Sequence, residues 1–177
     1  MPEANLEADL RATIRDIADF PKKGIVFKDI TPVLLDAPLF ARVTEALAEP
    51  FRDQRITHVA AIESRGFIFG APVALALGAA FVPMRKPGKL PHATAREEYD
   101  LEYGKDALEM HRDAMASNAR VLIVDDVLAT GGTAAAACRL AERFDVQVVA
   151  CSFVMELGFL KGRDKLGRRD VKALISY

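Results

Sequence analysis

The strongest constraint on the fold is a thirteen-residue segment from Val121 to Thr133, which reads VLIVDDVLATGGT. Its four leading apolar residues have high β-propensity and predict a strand buried on both faces, as in a parallel sheet. Asp125 and Asp126 follow at once, and a Gly-Gly pair then predicts a turn that opens a helix. The free N–H groups of that helix favour an anion, which the two carboxylates would repel. The segment therefore predicts a ligand with a phosphate group and with hydroxyl groups or a metal ion, such as a sugar phosphate.

The rest of the chain alternates strand and helix patterns, which indicates an α/β fold with a parallel sheet. In such sheets ligands bind at the carboxyl ends of the strands, where the charged or Gly-rich segments 63–66, 85–89 and 125–133 should meet. The apolar helix that follows segment 63–66 is expected to be buried. The pattern predicts helices at residues 6–19, 36–52, 66–77 and 133–144, and strands at residues 58–62, 79–84, 121–124, 146–154 and 171–176.

The composition indicates a globular protein whose core is large enough to be stable without disulfide bonds or a structural metal ion. Its 177 residues suit a single domain, and a formal net charge of −1 gives no reason to expect nucleic acid as a partner. No apolar run reaches the length that spans a bilayer, and no basic and apolar leader opens the sequence. Cys138 and Cys151 lie in apolar runs and are expected to be buried thiols in a reducing compartment. We therefore expect a cytoplasmic protein that does not bind membranes.

Taken alone, an Asp-Asp or Gly-Gly pair indicates no more than a turn, and the segment lacks the lysine of a Walker A loop. As a whole, however, it closely resembles the phosphoribosyl-pyrophosphate (PRPP) motif of type I phosphoribosyltransferases. That resemblance implies that Asp125 and Asp126 hold the ribose hydroxyls. It also implies that the 5′-phosphate is bound by Ala129, Thr130, Gly131, Gly132 and Thr133.

The same resemblance implies the architecture of the chain. A type I phosphoribosyltransferase fold has a central, mostly parallel sheet flanked by helices, with a small N-terminal hood and a flexible lid loop. Here the hood would cover about residues 1–35 and the lid about residues 91–115, both within one domain of residues 1–177. Independently of the resemblance, a polar segment as long as 91–115 is unusual in a compact domain. Such a segment is either disordered or functional.

The segment Glu63-Ser64-Arg65-Gly66 joins a predicted strand to a predicted helix and offers a second anion site. A plainer interpretation is that Ser64 caps the helix and Arg65 is solvated. In type I phosphoribosyltransferases this position is the pyrophosphate loop, often with a cis peptide bond that does not precede proline. The resemblance therefore assigns pyrophosphate binding to Glu63, Ser64 and Arg65, a catalytic role also to Arg65, and the candidate cis bond to Glu63–Ser64.

Three cations, Arg85, Lys86 and Lys89, lie within five residues around a Pro-Gly turn. A basic surface loop is commonly just solvated. These cations, however, follow a predicted strand at the ligand end of the sheet, where a departing pyrophosphate needs its charge neutralised. The resemblance makes all three pyrophosphate-binding residues, and it implies a homodimer in which Arg85 reaches into the partner's site.

The charged stretch 91–115 gives weak helical and weak strand signals, and residues 97–103 and 106–111 could pair as a hairpin across Gly104. A lid would keep water from the cation-like sugar centre of a PRPP reaction. The run from Tyr99 to Gly104 matches the catalytic flexible loop of adenine phosphoribosyltransferases. That match makes Glu102 the group that moves a proton at a purine nitrogen and Tyr103 a shield for the ribose.

The run from Phe20 to Pro32 is punctuated by proline and glycine and carries Phe27, which could stack on a flat base or pack into the core. The run resembles the adenine-binding hood of adenine phosphoribosyltransferases nearly residue for residue. By that resemblance Phe27 stacks on adenine, backbone groups of Val26 and Lys28 recognise its 6-amino edge, and Leu157 closes the other face.

Together these resemblances, from about Phe20 to Leu166, imply an enzyme that converts adenine and PRPP into AMP and pyrophosphate. The three histidines show no ligand spacing, so no metal is expected to be held by the protein alone. Mg²⁺ is expected on the PRPP phosphates and could lie near Asp125. Two alternatives remain open: a phosphoribosyltransferase for hypoxanthine or guanine, and a PRPP-sensing regulator without turnover.

Overall fold

The computed structural model describes residues 6–100 and 104–177 of the chain. Two compact units are formed, Met1–Ala46 and Leu47–Tyr177. The single domain expected from the sequence, with its hood and lid, stays a prediction. In the part of the chain that the structure describes, no helix has both the length and the apolar composition needed to cross a membrane.

The first unit contains a small antiparallel sheet between helices. Helix α1 (Leu6–Thr13) is followed by strands β1 (Arg15–Ala18) and β2 (Val26–Asp29), which pair antiparallel, and then by α2 (Thr31–Leu35). Helix α3 (Ala37–Ala48) comes next in the chain.

Two predicted helices differ from the structure. The helix predicted over residues 6–19 is wrong in its second half, because residues 15–18 form β1 and pair with β2. Pairing with the next strand therefore overrides the local helical spacing. The helix predicted over residues 36–52 is divided into α3 and the 3-10 helix Glu49–Gln54, whose first turn contains Pro50.

The second unit is built on a five-stranded sheet in which all neighbouring strands are parallel. In chain order its elements are β3 (His58–Ile62), α4 (Arg65–Leu77), β4 (Ala80–Met84), β5 (Thr94–Asp100), β6 (Lys105–His111), β7 (Arg120–Leu128), α5 (Gly132–Glu142), β8 (Gln147–Glu156) and β9 (Asp170–Ser176), with 3-10 helices at Gly158–Leu160 and Gly162–Leu166. The sheet order is β4-β3-β7-β8-β9, while β5 and β6 form a separate antiparallel hairpin. The α/β fold predicted from the sequence is thus confirmed.

Strand β7 is longer than predicted. The expected strand over residues 121–124 continues through Leu128, because β8 pairs with it as far as the partners Leu128 and Glu156. Asp125 and Asp126 therefore lie within the strand rather than beyond its tip, and Asp125 is the register partner of Phe153. Regular pairing with β8 thus fixes the backbone that carries both acidic residues.

Helix α5 packs its alanine-rich side against the sheet, where Phe153 and Ile123 are fully buried. Cys138 of α5 and Cys151 of β8 are both buried free thiols, as predicted, with their Sγ atoms 3.4 Å apart. They fill core volume, as small apolar side chains do.

Helix α4 is buried on one face only, so the expectation that the whole helix is buried is wrong. Phe69 and Val73 are fully buried, whereas Leu75 is 83% exposed and Ile68 is 38% exposed. The helix lies very close to β3, because a Cβ atom built on Gly70 would lie 2.4 Å from the Cβ atom of Ala61. Only a glycine permits this approach.

Replacement of Gly70 by alanine should destabilise the protein. Overpacking costs about 1–3 kcal/mol, which exceeds the roughly 0.5–1 kcal/mol that alanine gains over glycine within a helix. We expect a lower urea midpoint for Gly70→Ala. The matched control is Ala71→Gly at the next, exposed position of α4, which measures helix propensity alone. A more stable Gly70→Ala variant would contradict the close contact with β3.

Candidate active site

A cavity of about 360 Å³ opens at the carboxyl ends of β3 and β7. Ile62 ends β3, and Lys86 follows β4. The structure therefore brings together the three segments that the sheet rule predicted to meet. Of the predicted site residues, the cavity is lined by Glu63, Ser64, Arg65, Lys86, Asp125, Asp126, Ala129, Thr130, Gly131, Gly132 and Thr133.

Two carboxylates and one guanidinium form the charged centre of this cavity. Asp126 is 3% exposed, and its Oδ2 atom lies 2.7 Å from Nε of Arg65. The N–H of Arg65 does not align with this oxygen as a hydrogen bond, so the contact is an ion pair. Asp125 accepts a hydrogen bond of 2.9 Å from the backbone N–H of Asp126. The pair thus has a cation on one side and the cavity on the other.

Burial controls the protonation of both carboxyl groups. Burial raises the pKa of Asp125 well above its usual range, and the neighbouring charge of Asp126 raises it further. Burial also raises the pKa of Asp126, although the Arg65 guanidinium opposes this rise. Hydrogen bonds donated to a carboxylate favour its ionised form. Ligand hydroxyl groups in the cavity would therefore stabilise the charged pair.

The turn between β3 and α4 brings Arg65 to the acidic pair. The peptide bond between Glu63 and Ser64 is cis, as the resemblance implied. A Cβ atom built on Gly66 would lie 2.6 Å from Oδ1 of Asp125, so the first turn of α4 packs directly on β7. A larger side chain would displace either the helix or the carboxylate.

The loop between β7 and α5 is the segment predicted to bind a phosphate group, and it lines the cavity. Gly131 has a φ of 78°, a conformation that favours glycine, and its carbonyl accepts the 2.9 Å hydrogen bond from the N–H of Ala135. The first N–H groups of α5 therefore point into the loop without partners in the helix. This is the arrangement that binds anions at helix N-termini.

A second glycine, Gly162, packs against the backbone of this loop at Ala129 and Gly131. A Cβ atom on Gly131 would lie 2.2 Å from the carbonyl oxygen of Gly162, and a Cβ atom on Gly162 would lie 2.3 Å from the carbonyl oxygen of Ala129. Each contact is with backbone, which cannot move aside as a flexible side chain can. The path of the phosphate loop thus depends on the absence of a side chain at Gly162.

Arg163 holds this supporting segment in place. Its Nε atom lies 2.8 Å from both carboxylate oxygens of the buried Glu156, and its Nη1 atom donates to the carbonyl of Val171 at 2.8 Å. Sequence reasoning missed Gly162, Arg163 and Glu156. A lone glycine far along the chain from the motif gives no local signal, and its role depends on tertiary contact.

Glu63 organises the basic loop. Its carboxylate accepts hydrogen bonds from Arg85 at 3.1 Å and Lys89 at 3.1 Å, and also from the backbone N–H of Lys86. Burial alone would raise the pKa of Glu63, but these hydrogen bonds outweigh burial and lower it. An anionic Glu63 would act on pyrophosphate through the cations it binds. The pyrophosphate role of Glu63 and the reach of Arg85 into a partner stay predictions.

The predicted hairpin is confirmed as β5 and β6. Gly104 has a φ of 100°. Glu97 fastens the hairpin to α5 by accepting hydrogen bonds from Arg139 at 2.7 Å and Arg143 at 2.5 Å. The predicted catalytic residues Glu102 and Tyr103 lie outside the described residues, so their roles stay predictions.

The predicted base-binding residues lie in both units. Val26, Phe27 and Lys28 belong to β2 in the first unit. Phe27 is half-buried and packs edge-on against Phe20, with ring centroids 5.2 Å apart. Nζ of Lys28 pairs with Asp16 at 2.7 Å, which agrees with a backbone rather than a side-chain role. In the second unit, Leu157 follows β8 and its N–H donates to Leu128.

Comparisons with known proteins place this geometry in a family. A family profile described as a phosphoribosyl transferase domain matches residues 33–172. Adenine phosphoribosyltransferase from Myxococcus xanthus is 55% identical over 177 residues, which cover 100% of this chain and 96% of that protein. Adenine phosphoribosyltransferase 1 from Triticum aestivum is 55% identical over 166 residues, which cover 94% and 92%.

Solved structures of adenine phosphoribosyltransferases resemble this fold closely. The adenine phosphoribosyltransferase of Thermoanaerobacter pseudethanolicus superposes with a TM-score of 0.93 at 52% identity, with 96% of this chain and 99% of that one covered. The Saccharomyces cerevisiae enzyme, solved with an imino-altritol bisphosphate and adenine, gives 0.91 at 42% identity, with 97% and 99% covered. This chain therefore belongs to the adenine phosphoribosyltransferase family within the type I phosphoribosyltransferases.

Proposed function

We infer that this chain transfers the 5-phosphoribosyl group of PRPP to N9 of adenine and releases AMP and pyrophosphate. The observation that carries this function is one cavity in which an acidic pair, Asp125 with the buried Asp126, and a helix N-terminus lie side by side. PRPP needs both features, because it carries ribose hydroxyls next to a 5′-phosphate. The family relationship supplies the base and the reaction.

Each end of PRPP has a matching group in the cavity. Asp125 and Asp126 accept hydrogen bonds from the ribose hydroxyls, which favours the ionised form of both carboxylates against the effect of burial. The 5′-phosphate binds in the loop of residues 129–133, where the N–H groups of α5 face it. Arg65 and Lys86 lie at the same cavity and face the pyrophosphate.

The reaction replaces one bond at the anomeric carbon by another. N9 of adenine forms a bond to this carbon as the carbon–oxygen bond breaks, and pyrophosphate leaves with the electron pair. Cations around the departing oxygens stabilise the charge that develops there. Arg65 and Lys86 supply this charge, while Glu63 holds Arg85 and Lys89 close by. Glu102 is proposed to move the proton at the purine ring, and Tyr103 to shield the ribose.

Mg²⁺ fits this site only together with the substrate. Among the described residues, no group of three or more His, Cys, Asp or Glu side chains could hold a metal ion. Asp125 offers a hard carboxylate oxygen of the kind that Mg²⁺ prefers, and phosphate oxygens would complete the ligand set. When bound, the ion would neutralise charge on the leaving pyrophosphate.

Backbone recognition explains a preference for adenine. The carbonyl of Val26 can accept from a 6-amino group but cannot donate to a 6-oxo group. A 6-oxopurine would leave two acceptors facing each other, and where the bound base excludes water each would cost about 1–3 kcal/mol. Phe27 stacks on the base, Lys28 adds a second backbone contact and Leu157 covers the other face.

A homodimer is the proposed assembly. Exposed apolar side chains lie on α4 and on the edge strand β4, namely Ile68, Leu75 and Phe81. A second copy of the chain would remove this surface from water. The proposed location is the cytoplasm, where adenine, PRPP, AMP and pyrophosphate are the partners and neither nucleic acid nor membrane is expected.

Pyrophosphate release tests the function directly. We expect release from PRPP with Mg²⁺ and adenine, no release with hypoxanthine, guanine or no base, and loss of release on addition of a chelator. Release with a 6-oxopurine instead would contradict the proposed recognition by Val26. If no base supports release, the chain is a PRPP sensor rather than an enzyme.

Replacement of Asp126 by asparagine should weaken PRPP binding. The change removes a charge-assisted hydrogen bond to a ribose hydroxyl, and KM for PRPP should rise about ten- to a hundredfold. Arg65 is 40% exposed and stays solvated, so the fold should survive. Asp113→Asn, at an exposed turn, is the control and should leave KM for PRPP unchanged. Equal KM values in the two variants would exclude Asp126 from the ribose site.

Replacement of Gly162 by alanine should displace the phosphate loop. Because the new Cβ atom would meet the backbone at Ala129, we expect KM for PRPP to rise about tenfold or more, while KM for adenine changes little. Gly167→Ala is the matched control in the same segment. Gly167 has a φ of 63° and no atom within 4 Å of its Cβ position, so alanine strains its backbone without touching the loop. A similar KM for PRPP in both variants would contradict the supporting role of Gly162.

A further inference from the structure

Lys86 is fixed at both ends of its side chain by hydrogen bonds and an ion pair. Its backbone N–H donates to Glu63, which sets the start of the side chain. Its ammonium group donates to the hydroxyl of Tyr99 at 2.6 Å and forms an ion pair with Asp106. Tyr99 and Asp106 are register partners on β5 and β6, so the hairpin holds the end of the side chain.

These three polar groups form a closed triangle. The hydroxyl of Tyr99 accepts from Lys86 and donates to Oδ2 of Asp106 at 3.2 Å. The other oxygen of Asp106 accepts a hydrogen bond of 2.8 Å from the backbone N–H of Ala107, which orients the carboxylate. Tyr99 is itself buried, so packing limits the positions that its hydroxyl can take.

We propose that Asp106 and Tyr99 are positioning residues, which hold the Lys86 ammonium so that one of its N–H groups points at an oxygen of the PRPP pyrophosphate. An ammonium group has three N–H donors. Within the described residues, its hydrogen bonds go to Tyr99 and Asp106, and the side chain also lines the cavity. One N–H donor of Lys86 thus remains for a ligand. The lysine side chain is already ordered before that ligand binds.

Charge supports the same arrangement. Burial opposes the charged form of Lys86, but the contacts with Asp106 and Tyr99 outweigh burial and raise its pKa. The ammonium therefore stays protonated throughout the working range of pH. A long lysine side chain loses considerable freedom when it binds an anion, and holding it in advance reduces this entropic cost.

The inference rests on the proposed role of Lys86 in pyrophosphate binding, and a double-mutant cycle tests it. Tyr99→Phe keeps the ring and removes the hydroxyl, while Asp106→Asn keeps the shape and removes the charge. Each change should raise KM for PRPP about three- to tenfold, with KM for adenine unchanged. In a Lys86→Met background each should change KM for PRPP less than about twofold, because no ammonium is left to position.

Glu97→Gln serves as the matched control. It weakens the contact of the same hairpin with α5 and does not touch Lys86. Any effect of Glu97→Gln should therefore persist in the Lys86→Met background. If the effects of Tyr99→Phe and Asp106→Asn persist there too, they act through the hairpin in general and the proposal is wrong.

Two further outcomes would also overturn the proposal. A lower KM for PRPP in Asp106→Asn would mean that the carboxylate competes with the substrate for Lys86. An unchanged KM for PRPP in Lys86→Met would remove the pyrophosphate role on which the inference rests. Pyrophosphate release by the unaltered chain with adenine, measured first, separates these outcomes from a failure of the proposed function itself.

Discussion

The ion pair between Arg65 and Asp126 joins the two segments on which the rest of the site depends. A carboxylate that is 3% exposed would be very costly beside the neighbouring Asp125 if no cation faced it. Arg65 can reach it because the β3–α4 turn is short and because Gly66 lets α4 lie directly against β7. The sheet, the turn and the helix are therefore linked through one charge contact at the cavity.

The pair remains only partly compensated without a ligand. Burial and mutual repulsion both act to protonate Asp125, and one cation does not cancel two carboxylates. Hydroxyl groups of a sugar would supply the missing donors, so the free energy of ligand binding includes relief of this cost. The same feature would favour a ligand that brings hydrogen-bond donors and a phosphate together.

Three glycines shape the two loops at the cavity, and one hairpin positions the ammonium group of Lys86. Gly131 and Gly162 allow two backbone segments to touch, which shapes the phosphate loop, and Gly66 does the same for the pyrophosphate turn. The hairpin of β5 and β6 contacts α5 through Glu97 and Lys86 through Tyr99 and Asp106. Both ends of the proposed substrate would thus meet groups whose positions depend on the same hairpin and helix.

The sequence by itself determined the α/β fold, all five strands of the parallel sheet and the segments that line the cavity. These features follow from continuous apolar runs, which favour buried strands, and from acidic and glycine residues at fixed spacing, whose chemistry is local. The acidic pair and the segment expected to bind phosphate both line the cavity, and their binding roles stay predictions. The family resemblance named Glu63–Ser64 as the candidate cis bond without fixing its isomer, and the structure shows that it is cis.

Only the tertiary structure decided the remaining features. Residues 15–18 became a strand because they pair with β2, against a local helical pattern. Gly162 and the Glu156–Arg163 pair support the phosphate loop, and Tyr99 with Asp106 holds Lys86. Each of these contacts joins residues that are not neighbours in sequence, and the energy that selects them exists only once the packed fold has brought them together.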